Sequence, residues 1–490
     1  MRLGRIAHVE KLRLKFPGEG TLLFKDLSVS IDKGEKVLLL GPSGSGKSTL
    51  LQVLSGLIPQ SIEVPMKAER LKCPASWGFV FQDPDSQFCM PFADEEIAFV
   101  LENLSVPKEE MKEKIQYYIS QVGLKLSNIH TSIDTLSGGM KQRLAIASVL
   151  ALEPEVIFLD EPTAMLDPRG TKEMWDMLKE IGQDKTIIIV EHKIDHVLEF
   201  IERIVLFNDD GQIIADGAKD DILSRYENEM KEYGIWFPGV WDEYIQDHKL
   251  AREYRASDDS PILHLQGFGG FRKKEAKIKV EELKVYPGEW VVINGENGAG
   301  KSTLLHALMQ FIHTTGEYEI AGTPIKKVKN LTDFMTFVFQ NPEFQFVAHS
   351  VYEEIAYSLR INKKHPQEID EVVRELLEVF HLETHHAKNP FQLSIGQKRR
   401  LSVAASIVID KQIILLDEPT FGQDSKNTFA LLEWLEEYRR HGVTVIMVTH
   451  DDHISDHFAT RIWTVEDGRV ISDEKVIQQH RLPEPEAYIF

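Results

Sequence analysis

The sequence predicts an α/β protein built of two tandem phosphate-loop domains, each a parallel-sheet core with a helical insert. Three observations predict this. A glycine-rich loop occurs twice, as Gly41-Pro42-Ser43-Gly44-Ser45-Gly46-Lys47-Ser48-Thr49 and Gly295-Glu296-Asn297-Gly298-Ala299-Gly300-Lys301-Ser302-Thr303. Both copies fit G-x-x-x-x-G-K-[ST] and follow an apolar run, Lys36–Leu40 or Trp290–Ile293, that reads as a strand. A series of further motifs then recurs in the same order behind each loop.

The recurrence is close. Gln82 in Phe-Gln-Asp-Pro pairs with Gln340 in Phe-Gln-Asn-Pro, and Leu136-Ser-Gly-Gly with Leu393-Ser-Ile-Gly. Asp160-Glu161-Pro-Thr pairs with Asp417-Glu418-Pro-Thr, and His192 with His450. The spacing between partners drifts by only a few residues, so a whole domain is duplicated and solenoid repeats are excluded. Val156–Leu159, Thr186–Val190, Ile413–Leu416 and Val443–Val448 are continuous apolar runs, as expected of buried parallel strands. Between the Gln and Leu-Ser segments the pattern turns helical and charged, over Asp94–Leu104, Lys108–Val122, Val351–Leu359 and Gln367–Phe380. The predicted organisation is a first domain over 1–225, a helical extension and linker over 226–261, and a second domain over 262–490. The join is acidic and rich in aromatics (Tyr226, Tyr233, Trp236, Phe237, Trp241, Tyr244). A disordered linker avoids aromatics, so this stretch reads as packed helix, with the true linker near Ala256–Pro261.

Bulk properties bound the function. The chain has 490 residues, 42% of them hydrophobic and 27% charged, a globular composition with room for two cores. No apolar stretch reaches the roughly 18–20 residues that span a bilayer, and the start Met1-Arg-Leu-Gly-Arg has no apolar signal region. A cytoplasmic chain is expected. The net charge of −21 argues against wrapping nucleic acid. The two cysteines, Cys73 and Cys89, have no metal-binding spacing. His381, His385 and His386 have helical spacing but no counterpart in the first half, and read as a solvated helix end.

Each motif has a chemical reading. The glycines of each loop let backbone N–H groups turn inward around a β-phosphate. Lys47 and Lys301 then reach β- and γ-oxygens, and the Ser48 and Ser302 hydroxyls ligate Mg²⁺. Asp160 and Asp417, each at a strand end, would hold the metal's hydration shell, and Glu161 and Glu418 would polarise the attacking water. Leu136-Ser137-Gly138-Gly139 opens a helix over Met140–Ala151 and reads as an anion site.

This combination resembles the ATP-binding-cassette ATPases, in both halves and over nearly the full length. The resemblance implies a RecA-like core with an antiparallel β subdomain and a helical insert in each half. It implies ATP and Mg²⁺ as cofactors, with Gln82 and Gln340 joining the metal sites. It further implies head-to-tail pairing. One composite site would join the first loop, Gln82, Asp160, Glu161 and His192 to Ser394 and Gly396. The other would join the second loop, Gln340, Asp417, Glu418 and His450 to Ser137, Gly138 and Gly139. His192 and His450 would contact the γ-phosphate, Asp167 and Asp424 would couple the sites, and Phe16 and Phe271, with Phe268 close behind, would stack on adenine. Two departures stand out: Ile395 replaces the family glycine, and Met140 replaces the family glutamine.

Phe81-Gln-Asp-Pro-Asp-Ser-Gln87-Phe and Phe339-Gln-Asn-Pro-Glu-Phe-Gln345-Phe, each followed by Glu-Glu-Ile-Ala, resemble the energy-coupling-factor importers of vitamins and metals. Phe421-Gly-Gln-Asp424 does so too. Fused tandem ATPases for hydroxymethylpyrimidine or thiamine import are the nearest likeness. The resemblance implies a peripheral protein on the cytoplasmic face of the membrane. Integral membrane subunits would dock beside the Gln segments, with a substrate-binding component alongside. The glutamate pairs, Glu95-Glu96 and Glu353-Glu354, would receive basic residues of such a subunit. The alternatives are a twin-cassette translation factor on the ribosome and the ATPase of another vitamin, metal or sugar importer. Against the ribosomal alternative, the join lacks a long basic helix. A zinc-bearing DNA-repair cassette is excluded by the cysteine count.

Overall fold

The computed structural model describes residues 4–476 apart from 19, 165 and 249–259. It divides into two compact units, Met1–Asp242 with Gly422–Thr428, and Glu243–Phe421 with Phe429–Phe490. The expected linker near Ala256–Pro261 falls mostly outside the described residues.

In the first unit the central sheet has the order Ile213–Ala218, Arg203–Phe207, Lys36–Leu40, Thr186–Val190, Val156–Asp160 and Trp77–Val80. Every neighbour pair is parallel except the edge pair of Ile213–Ala218 with Arg203–Phe207. Val156–Asp160 and Thr186–Val190 are buried along their whole length, as strands covered on both faces must be. A separate antiparallel layer pairs Arg5–Leu14 with Phe24–Asp32, Met66–Lys67 and Arg70–Lys72.

The second unit repeats the plan: Arg461–Glu466, Trp290–Asn294, Thr444–Val448, Ile413–Asp417 and Met335–Val338 lie side by side in parallel. Its antiparallel layer, Leu263–Arg272 with Glu275–Val285 and His313–Ile320, joins the same sheet through a single parallel register pair, Lys279 and Arg469. In both units the loops that carry the motifs leave the carboxyl ends of the parallel strands, where α/β sheets place their ligands.

The helical inserts fall where the periodicity put them, as Ala93–Asn103 and Lys108–Gln121, then Val351–Ile361 and Pro366–Val379. The join is helical over Lys219–Arg225, Glu227–Glu232 and Val240–His248. Trp236, Phe237, Trp241 and Tyr244 are buried, and Tyr226 and Tyr233 are half-buried. Trp236 and Trp241 lie 6.1 Å apart, centroid to centroid, in the first unit, where the Trp236 indole donates to the Gln423 carbonyl at 2.9 Å. Tyr244 stacks on Phe429 at 3.9 Å in the second unit.

Each unit also carries an arginine clamp that no motif announces. In the second, Arg461 donates to both carboxylate oxygens of Glu289 (2.9 and 3.0 Å) and to Asp473 (2.8 Å). Arg203 does the same with Glu35 (2.9 Å) and Asp216 (2.6 Å) in the first. The clamp fastens the strand holding the arginine to the turn before the phosphate-loop strand. Arg461 and Glu289 are 5% and 2% exposed, whereas Arg203 and Glu35 are 20% and 25% exposed. Removing one partner of a buried pair strands the other charge in low dielectric, which costs about 3–5 kcal/mol. Arg461→Ala is therefore expected to destabilise the second unit by about that amount. Arg203→Ala, whose partners stay partly hydrated, should cost clearly less. Chemical denaturation of both variants checks the order.

Candidate functional site

The phosphate loop begins with a glycine for a steric reason. Gly41 has φ 157°, and a Cβ on it would lie 2.7 Å from the Phe207 Cβ. Gly295 has φ 148°, and its Cβ would lie 2.2 Å from the Val465 carbonyl oxygen. Each loop thus presses against the neighbouring strand, and only glycine fits. The loops run into the helices Lys47–Ser55 and Lys301–Leu308, whose N-caps, Gly46 and Gly300, are left-handed and supply no side-chain cap. The first-turn N–H groups of both helices therefore remain available to an anion.

Lys47 folds back to donate to the Gly41 and Pro42 carbonyls at 2.7 and 2.8 Å. Lys301 donates to Gly295 and Glu296 at 2.7 and 3.0 Å. Both ammonium groups are buried. Burial lowers the Lys47 pKa to about 8, and the charges of Glu161 and Asp160 only partly oppose this. A phosphate placed in the loop would supply the missing counter-charge.

The Ser48 hydroxyl donates to Asp160 Oδ1 at 2.7 Å, and Ser302 to Asp417 Oδ1 at 3.1 Å. Burial pushes Asp160 up to about 6 and also raises Asp417. A buried carboxylate beside a hydroxyl is an oxygen pair short of positive charge, which fits a hard divalent cation held mostly through phosphate and water. Among the described residues no group of three or more His, Cys, Asp or Glu converges as an all-protein metal cage. His385 instead meets Gln397 at 2.9 Å, and His386 meets the Glu383 carbonyl at 2.8 Å.

Glu161 and Glu418 sit one residue beyond their strands with φ 47° and 52°. Non-glycine residues pay for this conformation, which clusters at functional sites. Burial raises the Glu161 pKa, yet the net shift is downward because His192, Lys47 and Gln82 outweigh it. His192 Nε2 lies 2.9 Å from Glu161 Oε1, and Gln82 Nε2 donates to Oε2 at 2.6 Å. In the second unit His450 Nε2 lies 3.3 Å from Glu418 Oε1 and 3.1 Å from Asn297 Oδ1 of the phosphate loop. Each unit thus gathers its loop lysine, serine, aspartate, glutamate and histidine at one sheet end.

The Leu-Ser helices span Gly138–Leu150 and Ile395–Ile407, so the first starts two residues before the expected Met140. Ser137 and Ser394 are their N-caps. Gln397 completes a reciprocal capping box with Ser394, which Met140 has no group to form. Ile395 is 49% exposed at its helix start, next to Gly396. Gly138 and Gly139 open the first helix in the same way. Asp167 and Asp424 each cap the following helix, accepting from Gly170 N at 2.7 Å and Asn427 N at 2.8 Å.

One sequence reading changes and one residue was missed. Phe16 is 38% exposed, but Phe271 lines an open cavity of about 620 Å³ with Arg272, His306, Phe311, His313 and Phe339. Its ring lies 6.0 Å from that of His313. Glu96 and Glu354, expected as receptors for basic residues, are buried. Glu96 accepts from Cys89 N and Met90 N at 2.9 Å, and Glu354 from Val347 N and Ala348 N at 2.9 and 2.7 Å. They hold the Gln segments in shape because the backbone there has no sheet partner. Glu353 pairs with Arg360. Glu191 was missed: it is buried beside His192, accepts from Thr163, and burial raises its pKa well above the carboxylate range. Its place just before the histidine was the available signal.

The sequence profile of the ABC transporter family matches residues 24–164 and 278–421. The chain belongs to the ABC transporter family. It is 35% identical to the "Putative HMP/thiamine import ATP-binding protein YkoD" of Bacillus subtilis, over 95% of this chain and 90% of that one. It is also 35% identical to a "Putative ABC transporter ATP-binding protein" of Sulfurisphaera tokodaii, over 96% and 98% of the two chains. In fold it is similar to an archaeal ribosome recycling factor solved with a ribosomal stalk protein, at TM-score 0.63 and 19% identity over 95% of this chain and 90% of that one. The fold is thus that of tandem ABC ATPases, and the chain is an ATP-binding ATPase.

Losing one charge-assisted contact to phosphate costs about 1.5–3 kcal/mol, or roughly 10- to 150-fold in affinity. Lys47→Ala and Lys301→Ala are each expected to weaken ATP binding at one of two sites by that factor. Titration with a fluorescent ATP analogue should then resolve one tight and one weak site per chain.

Proposed function

We propose that the chain is the ATP-hydrolysing energy-coupling subunit of a membrane importer whose cargo is hydroxymethylpyrimidine or thiamine. The observation that carries the importer reading is the relative named for such import, which aligns over 95% of this chain. Two features of the fold support it. Both units keep the full set of loop, aspartate, glutamate and histidine. At the second Gln segment, Phe344 and Val347 are 76% and 61% exposed. Such exposed apolar side chains suit a helix from a membrane subunit. Among the described residues no helix is long and apolar enough to cross a membrane; in this reading the transport path belongs to integral membrane subunits, with this chain docked on their cytoplasmic face.

In this reading Lys47 and Lys301 bind β- and γ-phosphate oxygens, releasing the loop carbonyls they now hold. Ser48, Asp160 and Gln82, and Ser302, Asp417 and Gln340, would hold Mg²⁺. That ion would neutralise phosphate charge when bound. Glu161 and Glu418 accept the proton of the attacking water, and His192 and His450 keep each carboxylate aimed. Phe16 and Phe271 face the adenine. Each site is completed by the Leu-Ser helix of the opposite cassette, through Ser394 and Gly396 or through Ser137, Gly138 and Gly139. Asp167 and Asp424 link the two sites. ATP closes the pair, hydrolysis reopens it, and the Gln segments pass the motion to the membrane subunits.

General-base catalysis contributes about 10²–10⁴-fold. Glu161→Gln and Glu418→Gln are each expected to silence their own site by that order, and the double variant to be inactive while still binding ATP. EDTA should abolish turnover in all of them. The importer reading is tested by affinity purification of the chain from detergent-solubilised membranes of its native host. Integral membrane proteins should co-purify and labelled thiamine uptake should fall on deletion. Co-purification of ribosomal RNA with unchanged uptake would overturn it.

A further inference from the structure

The two cassettes differ at one buried position on the Leu-Ser helix. Arg399 occupies it in the second, and Gln142 occupies the equivalent place in the first. Both are buried, at 4% and 1% exposure. The Gln142 amide finds no hydrogen-bond partner among the described residues, at either its oxygen or its nitrogen. Arg399 does. One terminal nitrogen donates to the Glu418 carbonyl, and the other donates to the Gln340 carbonyl at 2.9 Å. The guanidinium also lies 5.2 Å from the Phe421 ring centroid.

A single side chain therefore spans three functional segments of one cassette: the Leu-Ser helix, the Gln segment and the acidic pair. The contact to Glu418 falls on the backbone of a residue with φ 52°, a conformation that must be held from outside. A guanidinium suits the task because its planar fork offers donors in fixed directions, whereas a glutamine amide is shorter and has one donor group. The cassettes also brace their glutamates differently. In the first, the Gln82 side chain reaches the Glu161 carboxylate directly. In the second, Arg399 ties the Gln340 and Glu418 backbones together. Burial lowers the Arg399 pKa to about 10, against the pull of Glu418 and Asp417, so the group stays charged at neutral pH.

We propose that Arg399 is a positioning residue for hydrolysis in the second cassette, locking the Glu418 backbone to the Gln segment and the Leu-Ser helix, and that the first cassette has no equivalent lock. The inference rests on Glu418 acting as the base of its own cassette. It does not need the importer reading, because the assay uses the full chain without membrane subunits, so the failure of one is distinguishable from the failure of the other.

The test measures ATP turnover in two single-site backgrounds, Glu161→Gln, which leaves the second site, and Glu418→Gln, which leaves the first. In the Glu161→Gln background, Arg399→Gln should lower kcat about tenfold with KM changed less than twofold. Arg399→Lys, which keeps the charge but reaches one carbonyl, should fall between. In the Glu418→Gln background, where the Ser394 helix still completes the first site, the loss of kcat caused by Arg399→Gln should be at least threefold smaller than in the Glu161→Gln background. An equal loss in both backgrounds, or a rise in KM with kcat held, would overturn the proposal. Should Arg399→Gln not fold, Arg399→Lys decides alone: an unchanged kcat in the Glu161→Gln background refutes the lock.

Discussion

The hydrogen bond from the phosphate-loop serine to the strand-end aspartate is the contact on which each cassette depends. Ser48 to Asp160 and Ser302 to Asp417 join residues more than a hundred positions apart. The bond is possible because Lys36–Leu40 and Val156–Asp160 both flank Thr186–Val190 in parallel, so their carboxyl ends rise together. It brings the positive loop and the buried carboxylate to hydrogen-bond distance. Everything else in the site is arranged around that pair: the lysine waiting on its own carbonyls, the glutamate in its left-handed turn, and the histidine aimed at it.

Burial is what gives these groups their chemistry. Lys47 is driven toward its neutral form and Asp160 toward its protonated form, so neither is well served by the protein alone. A triphosphate with its cation corrects both imbalances at once, which makes ligand binding favourable without any large rearrangement of the loop. Glu161 behaves differently. Its neighbours overcome burial and hold its pKa below the ordinary value, the state that the proposed base would need.

Much of this was legible in the sequence, because the phosphate loop and the acidic pair are set by local steric and chemical rules. Gly41 and Gly295 are fixed by a neighbouring strand, and the apolar runs by burial on both faces. The duplication located corresponding residues without any alignment to other proteins. What escaped were contacts between distant segments that leave no pattern of their own. Arg461 with Glu289 and Arg399 with Glu418 involve ordinary charged residues whose partners are set by topology. Glu96 and Glu354 were misread for a related reason: a glutamate pair at a helix start reads as solvent-facing, yet one member of each turns inward to satisfy a loop backbone. The open cavity that Phe271 lines is assembled from distant segments, which no motif encodes.

The central claim is that one chain carries two complete phosphate-binding sites. Native mass spectrometry of the Glu161→Gln, Glu418→Gln double variant with Mg²⁺ and excess ATP tests it most directly. A dominant species with two ATP molecules per chain is expected. A species saturating at one would contradict it.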